Sequence, residues 1–268
     1  MSTYNLLIGG KLGDFLLGVY GAHLYCRAEK RKVNIYMIDI GWDFGLKPTY
    51  DALYPILINQ EFVNSFQTLT DYKLDPIQTP YQNSPIQVFD QKLIEEGYLV
   101  DDYINSPLIY KACWSDLYAN MYKTQPTTNT AWLSFDKKDH KLTNTVVIHR
   151  KSVEEKRFNV EFPYEQVINS YDSVIFASTN KKDYDVFPWK QSVDFLQIES
   201  LDHWFTVISS CSIYVGNLTA PVVIAHALDK MRIIELPFNI DAHHWIGEEK
   251  YSSNVKWFLN KHNHNLTN

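Results

Sequence analysis

Seven of the ten glycines, at positions 9, 10, 13, 18, 21, 41 and 45, fall within the first 45 of 268 residues. Glycine is used where the backbone must turn sharply or come close to another group. The amino-terminal segment is therefore the most geometrically constrained part of the chain. Residues 4–9, YNLLIG, are an apolar run closed by glycine, the pattern of a buried strand. A GGKLG turn follows. Residues 14–29 lack proline and are apolar on nearly every side, which predicts a largely buried helix. Within it Gly18, Ala22 and Cys26 recur every four residues, giving a small-residue face that can lie against a sheet. Residues 33–39, VNIYMID, predict a second strand. Strand, glycine turn, helix and strand within about forty residues make a βαβ unit.

The periodicity beyond it is uneven. Residues 40–100 carry many prolines and aromatics, with short helices expected near 61–68 and 91–96. A longer helix is expected over 107–123. The polar tract 124–145 reads as an interdomain linker, dividing the chain into domains 1–138 and 139–268. After it the rhythm becomes regular. Strands are predicted at 145–149, 173–177, 194–198, 212–215 and 232–236, with helices at 163–170, 201–210 and 219–229 and a last helix over 251–261. The fold class is α/β: two Rossmann-like domains facing across a cleft, with parallel sheets flanked by helices. Ligands of such sheets bind outside the carboxyl ends of the strands. Chemistry is therefore expected just after residues 9, 149, 177, 198, 215 and 236.

Composition narrows the function classes. With Lys+Arg 25 against Asp+Glu 31 the formal charge is −6, which gives no reason to expect a nucleic-acid partner. The three cysteines (Cys26, Cys113, Cys211) are far apart and lack metal-ligand spacing, so neither a disulfide framework nor a structural zinc is expected. There is no signal-peptide pattern and no apolar run near the ~20 residues that span a bilayer. A cytoplasmic location is the expectation.

Three segments carry candidate chemistry. In GGKLGD, residues 9–14, Gly10, Lys11 and Gly13 shape a loop that opens the first helix. Asp14 in its first turn is either a helix cap or a general base at the mouth of a cleft. In 148–156, IHRKSVEEK, His149, Arg150, Lys151 and Lys156 form either a phosphate-binding edge or a solvated charged loop. In 214–229, Asn217, Thr219 and Ala220 lead into a helix with Pro221 in its first turn. That helix start can hold a diphosphate or can simply be capped. Ser178 and Thr179, with Asn180, could touch a nucleotide ribose or phosphate, or only cap the next helix. His226 is expected to be a packed histidine, and the Asp241–Trp245 stretch a surface or acceptor-side loop without a metal. The Gly10–Gly13 spacing together with Asp39 keeps a nicotinamide-dependent oxidoreductase open.

In order along the chain, LLIGGKLGDFLLGVYGAHL, VVIHRKSVEEKRFNVEF, VIFASTN and CSIYVGNLTAPVVIAHALDKMRIIEL resemble the glycosyltransferases of the GT-B fold. The similarity is greatest to the bacterial lipopolysaccharide heptosyltransferases. It covers residues 4–38 and 145–236; residues 40–130 have no match. It implies an inverting sugar transferase with Asp14 as general base, Lys156 on the donor phosphate, and the Asn217–Thr219–Ala220 turn around the diphosphate. It also implies a nucleotide-diphosphate sugar and a glycan or glycolipid acceptor as substrates, with no metal and no resident cofactor. The family turn has an acid where Leu218 stands, glycine at Ala220 and histidine at Val223, so heptose is not implied as the donor sugar. A binding module without catalysis is the remaining alternative.

Overall fold

Parallel strands must be joined by crossovers, and helices supply them here. The computed structural model describes residues 3–8, 11–38, 42, 44–69, 75–78, 85–88, 98–100, 106–109, 111–151, 162–236 and 244–259. The expected helix at 91–96 and the residues Gly9, Gly10, Asp39, Lys156, Asp241 and His243 lie outside these.

The chain divides into two units by contact. The first comprises residues 1–109, 114–127 and 132–134; the second comprises 110–113, 128–131 and 135–268. Unit 1 begins β1 (Thr3–Ile8), α1 (Leu12–Glu29), β2 (Lys32–Ile38), α2 (Leu46–Leu57), β3 (Val63–Leu69). A two-stranded antiparallel hairpin follows, β4 (Asp75–Gln78) and β5 (Pro85–Val88). Then come β6 (Tyr98–Val100) and α3 (Trp114–Met121). The main sheet runs β3-β2-β1-β6, all parallel. The order reverses between β1 and β6, so the turn after β1 sits at a topological switch point.

Helix α1 is buried along most of its length, with Phe15, Leu16, Val19 and Leu24 fully enclosed. Each such side chain contributes about 1.5–3 kcal/mol. The expected small-residue face meets the sheet: the Tyr4 hydroxyl of β1 donates to the Ala22 carbonyl at 3.5 Å and lies 3.6 Å from the Cys26 Sγ. The tightest packing is elsewhere, at Gly21. A Cβ there would stand 2.5 Å from the Tyr118 ring and 2.6 Å from the Tyr122 ring.

Unit 2 comprises β7 (Val146–His149), α4 (Tyr164–Asn169), β8 (Val174–Ser178), α5 (Lys181–Asp185), β9 (Asp194–Gln197), α6 (Leu201–Ser210), β10 (Ile213–Gly216), α7 (Ala220–Ala227), β11 (Arg232–Leu236) and β12 (Val255–Leu259). All six strands are parallel, in the order β12-β11-β10-β7-β8-β9. This is a doubly wound sheet whose switch point lies between β7 and β10. On one face Val146, Ile148, Phe176 and Val215 pack with Tyr164 and Ile168 of α4. On the other, His149 meets Trp204 of α6, and Arg232 meets His226 of α7. All three cysteines are buried and outside any disulfide, and burial pushes the Cys26 and Cys211 thiols up to about 11. Among the described residues no helix is long and apolar enough to cross a membrane.

Three expected elements differ. Residues 63–69 are a strand, not a helix: a register shift opposite Val33/Asn34 turns Val63 and Phe66 to the same covered side. That spacing of three imitates a helical period. Residues 255–259 pair with β11 instead of forming a tail helix, because the sheet edge offers them a hydrogen-bonding partner. The helix expected from 107 starts only at Trp114, residues 107–109 being a turn.

Gly21→Ala should lower stability by about 1–3 kcal/mol, although alanine is the better helix former. The urea midpoint measures this; an unchanged or higher midpoint would show that the two tyrosine rings can step aside.

Candidate functional site at the unit 2 switch point

The carboxyl ends of β7 and β10 come together residue by residue, with His149 opposite Gly216. A Cβ on Gly216 would stand 2.5 Å from the His149 carbonyl oxygen and 2.5 Å from the Tyr214 hydroxyl, so only glycine fits. One residue further, the two segments are tied by a side chain. The Lys151 amide donates to Asn217 Oδ1 at 3.3 Å, and Asn217 Nδ2 donates to the Lys151 carbonyl at 3.4 Å. Asn217 is fully buried. Two of the segments singled out in the sequence are thus brought together.

The turn then opens α7. Thr219 is its N-cap residue by backbone conformation but makes no side-chain cap, and Pro221 occupies the first turn. The Thr219 hydroxyl instead donates to the Asn217 carbonyl at 3.3 Å. Thr219 and Ala220 are half-buried. A helix start without a side-chain cap, at a switch point, can receive an anion through its backbone N–H groups and its dipole.

The neighbouring candidates are engaged within the protein. His149 Nδ1 bonds the Ala177 carbonyl at 2.8 Å, so that nitrogen carries the proton. Burial pushes the ring's pKa down to about 4, only partly offset by the bond to Ala177 and by Asp183. Arg150 Nε donates to Glu235 Oε2 at 3.0 Å, and the Tyr164 hydroxyl donates to the same oxygen at 2.7 Å. All three side chains are buried, which holds the Tyr164 phenol well above its usual range. The Ser178 hydroxyl donates to Asp183 Oδ2 at 2.7 Å and accepts from the Asn180 amide at 3.1 Å. Asn180 caps α5 through the Lys182 amide. Thr179 and Lys151 are exposed at the same edge.

In unit 1, Lys11 is exposed and Gly13 and Asp14 are half-buried. Lys11, not Asp14, is the cap residue of α1; Asp14 lies inside the first turn, where its charge faces the positive end of the dipole. His226 is packed as expected, on Arg232 at 2.9 Å and against the Trp245 ring. His244 and Trp245, read as part of a surface loop, are buried. Among the described residues no group of three or more His, Cys, Asp or Glu side chains is placed to hold a metal ion.

Glu235, Tyr164, Asp183 and Tyr214 were missed as contributors to this edge. The available signal was Glu235, an acid inside the apolar strand RIIEL; a charge there needs a partner.

Two stability experiments follow from this geometry. Glu235→Ala should cost about 3–5 kcal/mol by removing the carboxylate that both Arg150 and Tyr164 bond, and Arg150→Met added to it should recover part of the loss. Chemical denaturation of the single and double variants reads this; equal losses would mean the ion pair is not formed. The second concerns pH. His149, and His23 of α1, whose ring burial and then Arg27 hold down, titrate at about 4 in the folded chain against 6.5 as the ordinary value. Between those values the unfolded chain binds more protons. Stability should therefore be flat above about pH 6.5, fall as pH drops towards 4, and lose nothing further from these groups below it. His149→Gln should flatten part of that slope in denaturant midpoints taken across the range.

No protein-family model matches the chain, and no curated protein sequence does. Solved structures do. The iron-containing heptosyltransferase TibC, in complex with ADP-D-beta-D-heptose, aligns at 12% identity and TM-score 0.61 over 97% of this chain. This chain spans 63% of the length of TibC. The E. coli heptosyltransferase WaaC with ADP aligns at 12% identity and TM-score 0.56, over 96% of this chain and 93% of WaaC. A glycosyl transferase family 9 protein from Veillonella parvula aligns at 12% identity and TM-score 0.56, over 96% and 85%. The expected fold is borne out: the chain is α/β with helix-flanked parallel sheets, and its fold is that of GT-B glycosyltransferases.

Proposed function

We propose that the chain is a glycosyltransferase that moves a sugar from a nucleotide-diphosphate donor to a hydroxyl of a glycan or glycolipid. The observation that carries this is the Gly216–Ala220 turn. It is a helix start without a side-chain cap, set at the switch point of a sheet whose solved neighbours are sugar transferases. Unit 2 takes the donor side and unit 1 the acceptor side. Asn217, Thr219 and Ala220 receive the diphosphate, with Lys156 as the neutralising cation. Thr179 is the exposed group at the nucleotide edge, while His149, Arg150 and Ser178 hold that edge in shape.

The transfer proceeds by single displacement. The Asp14 carboxylate takes the proton of the acceptor hydroxyl as its oxygen bonds to the anomeric carbon, the acceptor being seated on the Gly10–Lys11–Gly13 loop. The bond from that carbon to the diphosphate oxygen breaks, and the nucleoside diphosphate leaves with the electron pair. Inversion follows from attack opposite the leaving group. Fixed N–H dipoles and a cation at the leaving oxygens stabilise the charge that develops there. No metal or resident cofactor is needed for this step. ADP is the first nucleotide to try, because TibC and WaaC were solved with ADP-bearing ligands.

A thermal-shift panel of ADP, UDP, GDP, CMP and NAD tests the assignment. Stabilisation by one of the first four and not by NAD is expected. NAD alone would point to an oxidoreductase. Asp14→Asn should keep nucleotide affinity and lower turnover by roughly a hundredfold or more, measured as transfer or as donor hydrolysis. Turnover like the wild type would remove Asp14 from the chemistry, and Lys156→Ala with undiminished nucleotide affinity would remove Lys156 from the phosphate.

A further inference from the structure

Tyr214 is fully buried, yet among the described residues its hydroxyl makes no well-formed hydrogen bond. Its direction is fixed by two contacts. Tyr214 pairs in register with Arg232, which meets His226 of α7, so both lie on the α7 side of the sheet. A Cβ on Gly216 would stand 2.5 Å from the Tyr214 hydroxyl, so the phenol runs beneath residue 216 towards the start of α7. The Thr219 side chain is the polar group that acts on it there. Burial raises the phenol well above its usual range, so it keeps its proton and remains a donor.

A buried hydroxyl with nothing to bond is worse than no hydroxyl at all. Elsewhere in the same unit the fully buried Tyr164 spends its hydroxyl on Glu235, and the fully buried rings Phe176 and Phe205 carry no hydroxyl. A tyrosine at this position therefore asks for a use. Thr219 supplies one, because its hydroxyl makes only a long bond to the Asn217 carbonyl and does not cap its own helix.

We propose that Tyr214 is a positioning residue of the diphosphate turn, donating to the Thr219 hydroxyl so that Thr219 turns its own proton from the Asn217 carbonyl to a phosphate oxygen of a bound nucleoside diphosphate. This rests on the donor assignment made above. The exchange moves hydrogen bonds only, and no covalent bond changes. Gly216 is part of the device, since any side chain there would occupy the space of the phenol oxygen.

The test is a double-mutant cycle with Tyr214→Phe and Thr219→Val, reading ADP affinity by calorimetry and the unfolding midpoint without ligand. Tyr214→Phe should unfold at least as late as the wild type, yet bind ADP about three- to tenfold more weakly. In the Thr219→Val background the same change should have no further effect on binding. Wild-type ADP affinity in Tyr214→Phe, or losses that simply multiply in the double variant, would overturn the role of Tyr214 while leaving the donor site standing. If the wild type bound none of ADP, UDP and GDP, the donor assignment would fail and take this role with it.

Discussion

At the end of β10 the backbone passes so near the His149 carbonyl that residue 216 cannot carry a side chain. That approach is forced by parallel pairing of β7 with β10, strands between which β8 and β9 intervene in sequence. Because they are adjacent, their outgoing segments diverge from a common point. Asn217, enclosed by both, then links them through the Lys151 backbone. The start of α7 inherits its place from this junction. Its place at the switch point is set by topology rather than by any one side chain.

Beside the junction a buried guanidinium, carboxylate and phenol join the end of β7 to β11 and to the start of α4. Arg150 and Glu235 each stand one residue past a position paired with Gly216, so the link passes across the β10 turn. Such an arrangement adds little net stability compared with apolar packing, but it tolerates few alternative geometries. Preorganised polar groups matter most where charge develops, because they need not reorient during the reaction. The asparagine and the ion pair give the turn that kind of rigidity.

The sheet of unit 2 was legible because its apolar runs alternate with helical patterns, and each of its first five strands is short and bounded by polar residues. β3 was not, since a bulge in its pairing gave Val63 and Phe66 a helix-like spacing. β12 was not, because what makes 255–259 a strand is β11, more than 20 residues away in sequence. The site shows the same division. Gly216, Asn217 and Thr219 announced themselves as a turn leading into a helix. Glu235 and Tyr214 did not, since their roles follow from register and from the reach of a side chain under its neighbour. His149 and Ser178 were visible as polar groups at strand ends. That their hydrogen bonds go to Ala177 and Asp183 depends on the distance between β7 and β8, which one sequence does not state.

The buried cysteines have a practical consequence. With Cys26 and Cys211 titrating near 11, only about one in ten thousand of these thiols is ionised at neutral pH. The enclosing core withholds that small fraction from reagents as well. An alkylating agent added to the native protein would therefore modify these sulfurs only as fast as the chain opens. That makes them internal clocks of opening, Cys26 for the amino-terminal sheet and Cys211 for the carboxyl-terminal one, in a protein that carries no dye or tag.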